Sequence, residues 1–277
     1  EKIFKTMFSS GTGGAPSQIV LDQQTARLQQ SKLIEIFQMS FGTQRFPMLV
    51  IDAESSVKDR NNFSARTAAI NGFSIFSRGR DFALNDEFEI DLARVRRFLD
   101  LHSGKPIFIF GFTFVIWEKL VLKLEKLGLT LNLANAFILH GGGWKKLEEQ
   151  SVDAKEFKRR IATVLNCHQV YNYYGMIEQT GSIYLECVNG NLHAPSGADV
   201  IVRSSEAFSK MGHNSLGLIQ VFSTIQKSYP GHSLLTEDIG HTLPASHCNC
   251  GNLGTILEVK GRLKAAEVRG CSDAVNR

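Results

Sequence analysis

Between Phe46 and Tyr173 the sequence alternates short apolar runs with amphipathic stretches, and that alternation limits the fold more than any other feature. Residues 46–52 read as a buried strand, 72–76 as a weaker one, and 106–110, 136–139 and 168–173 as three more. Helices are expected between them. One opens at Asp91 with Leu92, Val95, Phe98 and Leu99 on one face, one runs over 115–127 until Gly128 ends it, and one covers 153–165. Another, capped by Asp22, reaches to about Met39. Strands joined through helices lie parallel, so the pattern predicts an α/β fold: a mainly parallel, helix-covered sheet with its sites at the carboxyl ends of the strands.

Beyond Glu178 the texture changes. Residues 182–188 and 192–194 flank Asn189-Gly190, a type I′ hairpin signal, and 216–224, 234–240 and 255–259 read as further strands of a smaller antiparallel β subdomain. Three parts are therefore expected: 1–181, an α/β part; 182–260, rich in β; and 261–277, a short tail. The chain opens at Glu1 and reaches a glycine-rich loop within ten residues, so an N-terminal portion is expected to precede it.

Composition narrows the function. With 43% hydrophobic residues the chain can bury a substantial core, and 31 basic against 27 acidic residues leave only +4, too little for a nucleic-acid partner without a concentrated patch. No apolar run reaches the roughly 18 residues a membrane span needs, and no signal peptide opens the chain, so a cytoplasmic location is expected. Five cysteines at irregular spacing do not form a disulfide framework.

Four segments carry chemistry. In Ser9-Ser10-Gly11-Thr12-Gly13-Gly14, successive glycines let backbone N–H groups converge on an anion while the hydroxyls add donors; no Gly-Lys-Ser/Thr ends it, so it is not a Walker loop. His140-Gly141-Gly142-Gly143-Trp144 follows a strand and offers bare backbone to a flat ligand. Tyr171-Asn172-Tyr173-Tyr174-Gly175-Met176-Ile177-Glu178-Gln179 can expose an aromatic face and a carboxylate together at one turn. His247-Cys248-Asn249-Cys250 supplies soft ligands for Zn²⁺ through Cys248 and Cys250, with His241 nearby and the fourth ligand unassigned. Phe108, Phe110, Phe112, Phe114 and Trp117 could line an acyl or aryl pocket or simply form core.

These segments, in this order, resemble the adenylate-forming superfamily. Ser9 to Gly14 look like its phosphate loop, Tyr174-Gly175-Met176-Ile177-Glu178 like its Tyr-Gly-x-Thr-Glu segment, Thr236-Glu237-Asp238 like its Thr-Gly-Asp segment, and Gly261-Arg262 like its hinge motif. Within it, His140 to Lys146, Gln179 and Glu267-Val268-Arg269-Gly270-Cys271 look most like the acyl-protein synthetase (LuxE-type) family, related to phenylacetate-CoA ligases. The resemblance implies ATP and Mg²⁺ as cofactors, a carboxylic acid substrate of the fatty acid class, and an acyl reductase as partner. It implies that Ser9, Ser10, Gly11, Thr12, Gly13 and Gly14 hold phosphates, and that Gly141, Gly142, Gly143 and Tyr174, with Gly175 and Met176, frame adenine. By the same resemblance Asp238 accepts from the ribose hydroxyls, Arg262 donates to ribose or phosphate, Glu178 places Mg²⁺, and Cys271 accepts the acyl group.

Ile177 stands where the superfamily has Thr, Gln18 where a Lys is usual and Ala265 where Asp or Lys is common; only about fifteen residues follow Arg262, so the mobile C-terminal domain is expected to be essentially absent. Cys167 and Cys187, in or beside strands, read as core. Cys271 lies next to Gly270, which leaves the thiol open, and near Arg269, which favours the thiolate. Three functions stay open: an ATP-dependent enzyme that acylates itself, an acyl- or aryl-CoA ligase, and a non-catalytic nucleotide-binding partner subunit.

Overall fold

The computed structural model describes residues 3–9, 17–58, 65–144 and 151–263. By contact density the chain forms two compact units: one takes in the chain up to Gly42 together with Tyr173 to the last described strand, the other is Thr43–Asn172. The first opens with the antiparallel pair β1 (Lys5–Phe8) and β2 (Gln18–Leu21), followed by α1 (Gln23–Phe41). Asp22 starts α1 as expected, its Oδ1 accepting from the Thr25 N–H at 2.6 Å.

In Thr43–Asn172 the alternation becomes β3 (Phe46–Ala53), α2 (Ala65–Ser74), β4 (Ser77–Leu84), α3 (Leu92–Leu101) and β5 (Ile107–Phe112). Next come α4 (Thr113–Val115), a π-helical stretch Ile116–Val121, α5 (Leu122–Leu127), β6 (Ala136–Gly141) and α6 (Ala154–Leu165). β4, β3, β5 and β6 pair side by side, all parallel. Every residue of β5 and β6, and all but Pro47 in β3, is buried, as strands covered on both faces require. Three expected helix boundaries hold: Asp91 Oδ1 accepts from the Arg94 N–H at 2.9 Å, Asp153 Oδ1 from the Glu156 N–H at 2.7 Å, and Gly128 ends α5 with φ 63°.

In this unit α2 and β4 differ from expectation. Residues 72–76 are not a strand; Gly72–Ser74 finish α2, and the strand is β4. Arg66, Ile70 and Phe73 recur at helical spacing and are all buried, but the charge of Arg66 conceals the apolar face. β4 opens on Ser77-Arg78-Gly79-Arg80-Asp81, polar because it is the edge strand, with Arg78, Gly79 and Arg80 exposed.

β7 (Gln169–Tyr174) leads the chain back to the first unit, which continues with β8 (Tyr184–Glu186), β9 (Leu192–His193), β10 (Ala198–Arg203), β11 (Gly217–Ser223), β12 (Ser233–Leu243) and β13 (Ile256–Arg262). Neighbouring pairs run antiparallel in the order β10-β11-β12-β13-β9-β8-β7. Tyr184, Val200, Ile219, Val221 and Leu257 pack as its core. The Asn189-Gly190 turn is a hairpin but not type I′: of the two, only Gly190 has positive φ (83°), its N–H donating to the Cys187 carbonyl at 2.9 Å. Among the described residues no helix is long and apolar enough to cross a membrane.

Arg66 and Asp52 form a buried pair in the parallel unit, Nε to Oδ2 at 2.5 Å and Nη2 to Oδ1 at 2.7 Å, with the carboxylate also accepting from Ser56 Oγ and the Ala53 N–H. Their side chains are 5% and 1% exposed, so neither charge can fall back on water. Arg66→Met should lower unfolding free energy by about 3–5 kcal/mol, and adding Asp52→Asn should restore part of it. Urea unfolding of the single and double variants checks this; equal stability of wild type and single variant would contradict it.

Candidate active site

The carboxylate of Asp238 gathers the site. β12 and β13 pair with Asp238 opposite Arg262, and Arg262 Nε donates to Asp238 Oδ1 at 3.1 Å. From the end of β7, the Tyr174 hydroxyl donates to Oδ2 at 2.8 Å. Thr236 sets the backbone here: its Oγ1 donates to the Ile219 carbonyl at 2.9 Å and accepts the Asp238 N–H at 3.1 Å. Burial, then the adjacent Asp238 carboxylate, holds the Tyr174 phenol well above its ordinary range, so it stays a donor. The Asp238 and Arg262 side chains are 17% and 35% exposed. A carboxylate offers about four acceptor positions, so one that has taken two donors keeps capacity for hydroxyls of a ligand.

Glu178 stands in the 3₁₀ turn Ile177–Gln179 that follows Gly175 and Met176. Gln179 is buried and bolts the turn down, its Nε2 donating to the carbonyls of Gly231 at 2.9 Å and Val221 at 3.3 Å. The Tyr229 hydroxyl donates to the Glu178 carbonyl at 2.7 Å and accepts from Gln29 Nε2 at 3.1 Å. Burial pushes the Glu178 carboxyl up, while hydrogen bonds from its own backbone N–H and from the Ser9 hydroxyl pull the other way. Ser9 is itself buried and clamps the foot of the glycine-rich loop: its N–H donates to the Ser17 carbonyl at 3.0 Å, and its Oγ accepts the Ser17 N–H at 2.9 Å. Ser9 and Glu178 are thus neighbours, although the sequence separates them by most of the chain. Ser10, Gly11, Thr12, Gly13, Gly14 and Cys271 lie outside the described residues.

Gly141, Gly142 and Gly143 belong to the Thr43–Asn172 unit, at the carboxyl end of β6. Gly142 has φ 84°, and a Cβ there would stand 2.6 Å from Phe112 Cδ1, so this position needs glycine for packing as well as for conformation. His140 is buried; Thr113 Oγ1 lies 2.9 Å from its Nδ1 and 3.0 Å from the Gly141 carbonyl. With the hydroxyl donating to that carbonyl, the imidazole donates to the hydroxyl through Nδ1–H.

Cys248 and Cys250 come together as expected, but with partners the sequence reading assigned elsewhere. Cys187 is half-buried rather than core, its Sγ 3.7 Å from Cys248 Sγ, and His193 Nε2 lies 3.4 Å from Cys250 Sγ. His241 instead pairs with Glu258 at 3.3 Å, and His247 is exposed. The signal available in sequence was the hairpin: Cys187 and His193 flank Asn189-Gly190, and a tight turn brings such flanks close.

The fold is shared with solved structures. The fold matches ATP-bound MatB from Rhodopseudomonas palustris (TM-score 0.60, 15% identity, 94% of this chain and 48% of that one). It also matches a 2-hydroxyisobutyryl-CoA ligase in complex with 2-HIB-AMP and CoA (TM-score 0.68, 14% identity, 95% and 58%). The chain belongs to the acyl-protein synthetase, LuxE, family, whose model matches residues 1–277. A curated relative, the long-chain-fatty-acid–luciferin-component ligase of Vibrio harveyi, is 26% identical over 190 residues. That match takes in 67% of this chain and 48% of the relative, so the chain spans about half the length of the relatives it matches.

Burial, then Lys158, pulls His140 from its ordinary 6.5 down to about 3. An unfolded chain therefore binds a proton that the folded one refuses, so stability should fall as pH drops from about 6.5 to about 3, by at most about 1.4 kcal/mol per pH unit from this group. His140→Gln should flatten that slope in urea titrations at several pH values. Identical slopes in variant and wild type would show that the imidazole is not buried neutral.

Proposed function

We propose that this chain activates a long-chain fatty acid with ATP and passes the acyl group to its own Cys271, from which a partner reductase would take it. The observation that carries the reading is the Asp238 carboxylate between Tyr174 and Arg262, with acceptor capacity left for ribose hydroxyls. Ser9 to Gly14 would hold the phosphates, with Ser9 fixed against Glu178 at the loop's foot. Membership of the family and the Vibrio relative's fatty acid substrate support the choice of acid.

In the first step a substrate carboxylate oxygen attacks the α-phosphorus. The new O–P bond forms as the bond to the bridging oxygen breaks, and pyrophosphate leaves with that electron pair. Positioned donors and cations suffice for this step, because two anions must be held together and no protein nucleophile is consumed. The Glu178 carboxylate fits Mg²⁺, since it is a half-buried acid raised by desolvation that has no cationic partner among the described residues. Once bound, Mg²⁺ would neutralise phosphate charge. In the second step the Cys271 thiolate would attack the acyl carbonyl, forming the thioester and expelling AMP, with the thiol proton released to solvent.

Glu178→Gln should reduce fatty-acid-dependent ATP–pyrophosphate exchange by about a hundredfold or more, the scale of losing one positioned charge-stabilising group. It should not destabilise the fold. A carboxyl raised by burial contributes stability that is present below its ordinary value of 4.5 and lost as pH rises through its folded value, so at pH 7 the amide should match or exceed wild type. Undiminished exchange would remove Glu178 from the chemistry.

Cys271→Ala should still form acyl-AMP and pyrophosphate in a single turnover yet carry no hydroxylamine-labile acyl group. A retained label would place the acceptor elsewhere. Wild type that makes acyl-CoA and never acylates itself would establish the CoA ligase reading instead.

A further inference from the structure

We propose that Cys187, His193, Cys248 and Cys250 form a closed structural Zn²⁺ site that staples the β8–β9 hairpin to the β12–β13 connection. Their four donor atoms all lie within 4.8 Å of one another. Zn–S near 2.3 Å and Zn–N near 2.0–2.1 Å in a tetrahedron put sulfurs about 3.8 Å apart and a sulfur about 3.5 Å from a nitrogen. The observed 3.7 Å between Cys187 and Cys248 and 3.4 Å between Cys250 and His193 Nε2 match those edges. Three thiolates and one imidazole are a donor set that favours zinc over magnesium or calcium, and four protein ligands leave no open position, which marks a structural rather than a catalytic site.

The groups behind the ligands are arranged as such a site needs. His193 Nδ1–H donates to the Gly254 carbonyl at 3.1 Å, which fixes the tautomer and turns the Nε2 lone pair toward the sulfurs. Gly254 runs so close to β9 that a Cβ there would fall 1.9 Å from the Ala194 carbonyl oxygen. Asn189 and Asn191 each donate Nδ2–H to Cys248 Sγ, at 3.4 and 3.3 Å, and the Asn252 N–H donates to Cys250 Sγ at 3.5 Å. Three thiolates around a dication leave a net single negative charge, and these N–H donors, with the imidazole N–H, disperse it.

A second observation asks for the staple independently. From Pro244 to Thr255 no residue is buried, and Leu253 is 91% exposed, so this long connection has almost no apolar packing to hold it. A metal closing it onto the hairpin would supply that order. On binding, three thiol protons leave to solvent.

The test uses the full chain, purified reduced and without chelator. Elemental analysis should find about one zinc per chain, and cobalt(II) exchanged into the protein should show the intense visible bands of tetrahedral thiolate coordination. Cys187→Ser and His193→Gln should each fall to about a tenth of an equivalent. Because either variant could misfold, wild type is also alkylated natively with and without zinc removed: Cys187, Cys248 and Cys250 should react only after removal. Reduced wild type that takes up no zinc, a Cys187–Cys248 disulfide in the freshly purified chain, or equal alkylation in both states would overturn the site.

Discussion

One carboxylate organises the polar corner of the antiparallel unit. Asp238 accepts from Tyr174 at the end of β7 and from Arg262 on β13, so three strands meet at a single polar point. The corner depends on register: a one-residue slip between β12 and β13 would turn Asp238 or Arg262 to the opposite face. It depends equally on the unbranched phenol of Tyr174, whose burial keeps it protonated and donating.

What fixes that register acts at both ends of the β12–β13 ribbon. At one end Thr236 and the Leu263 N–H, which donates to the Glu237 carbonyl at 2.9 Å, hold the backbone around Asp238. At the other, about 17 Å away along the strand, the ribbon runs into the connection carrying Cys248 and Cys250. A staple there would act on the Asp238 corner only through strand pairing, so its contribution would be order in the ribbon rather than chemistry. Glu178 is positioned by different means: Gln179 and Tyr229 bind its turn, and Ser9 links it to the foot of the glycine-rich loop.

Most of the fold was legible because its signals are local. Continuous apolar runs announced β3, β5 and β6, and Asp22, Asp91, Asp153 and Gly128 announced helix ends through the hydrogen bonds their side chains or backbones can make. α2 and β4 were misread where a tertiary interaction overrode the local signal: Arg66 is buried because Asp52 meets it, and β4 is polar because it is an edge. In the site, Tyr174, Asp238 and Arg262 were legible as members of motifs, but their mutual hydrogen bonds come from strand pairing that no local pattern encodes. Cys187 looked like a core thiol for the same reason, since its neighbour Cys248 is distant in sequence and arrives only when β9 pairs with β13.

The claim at the centre of this account is that Asp238 receives ribose hydroxyls. Calorimetry of the full chain with ATP and with its 2′,3′-dideoxy analogue, repeated on Asp238→Ala, tests it most directly. Wild type should bind ATP roughly ten- to a hundredfold more tightly than the analogue, as expected for charge-assisted hydrogen bonds to hydroxyls, and the variant should bind the two alike. Equal affinity of wild type for both nucleotides, or discrimination that survives in the variant, would contradict it.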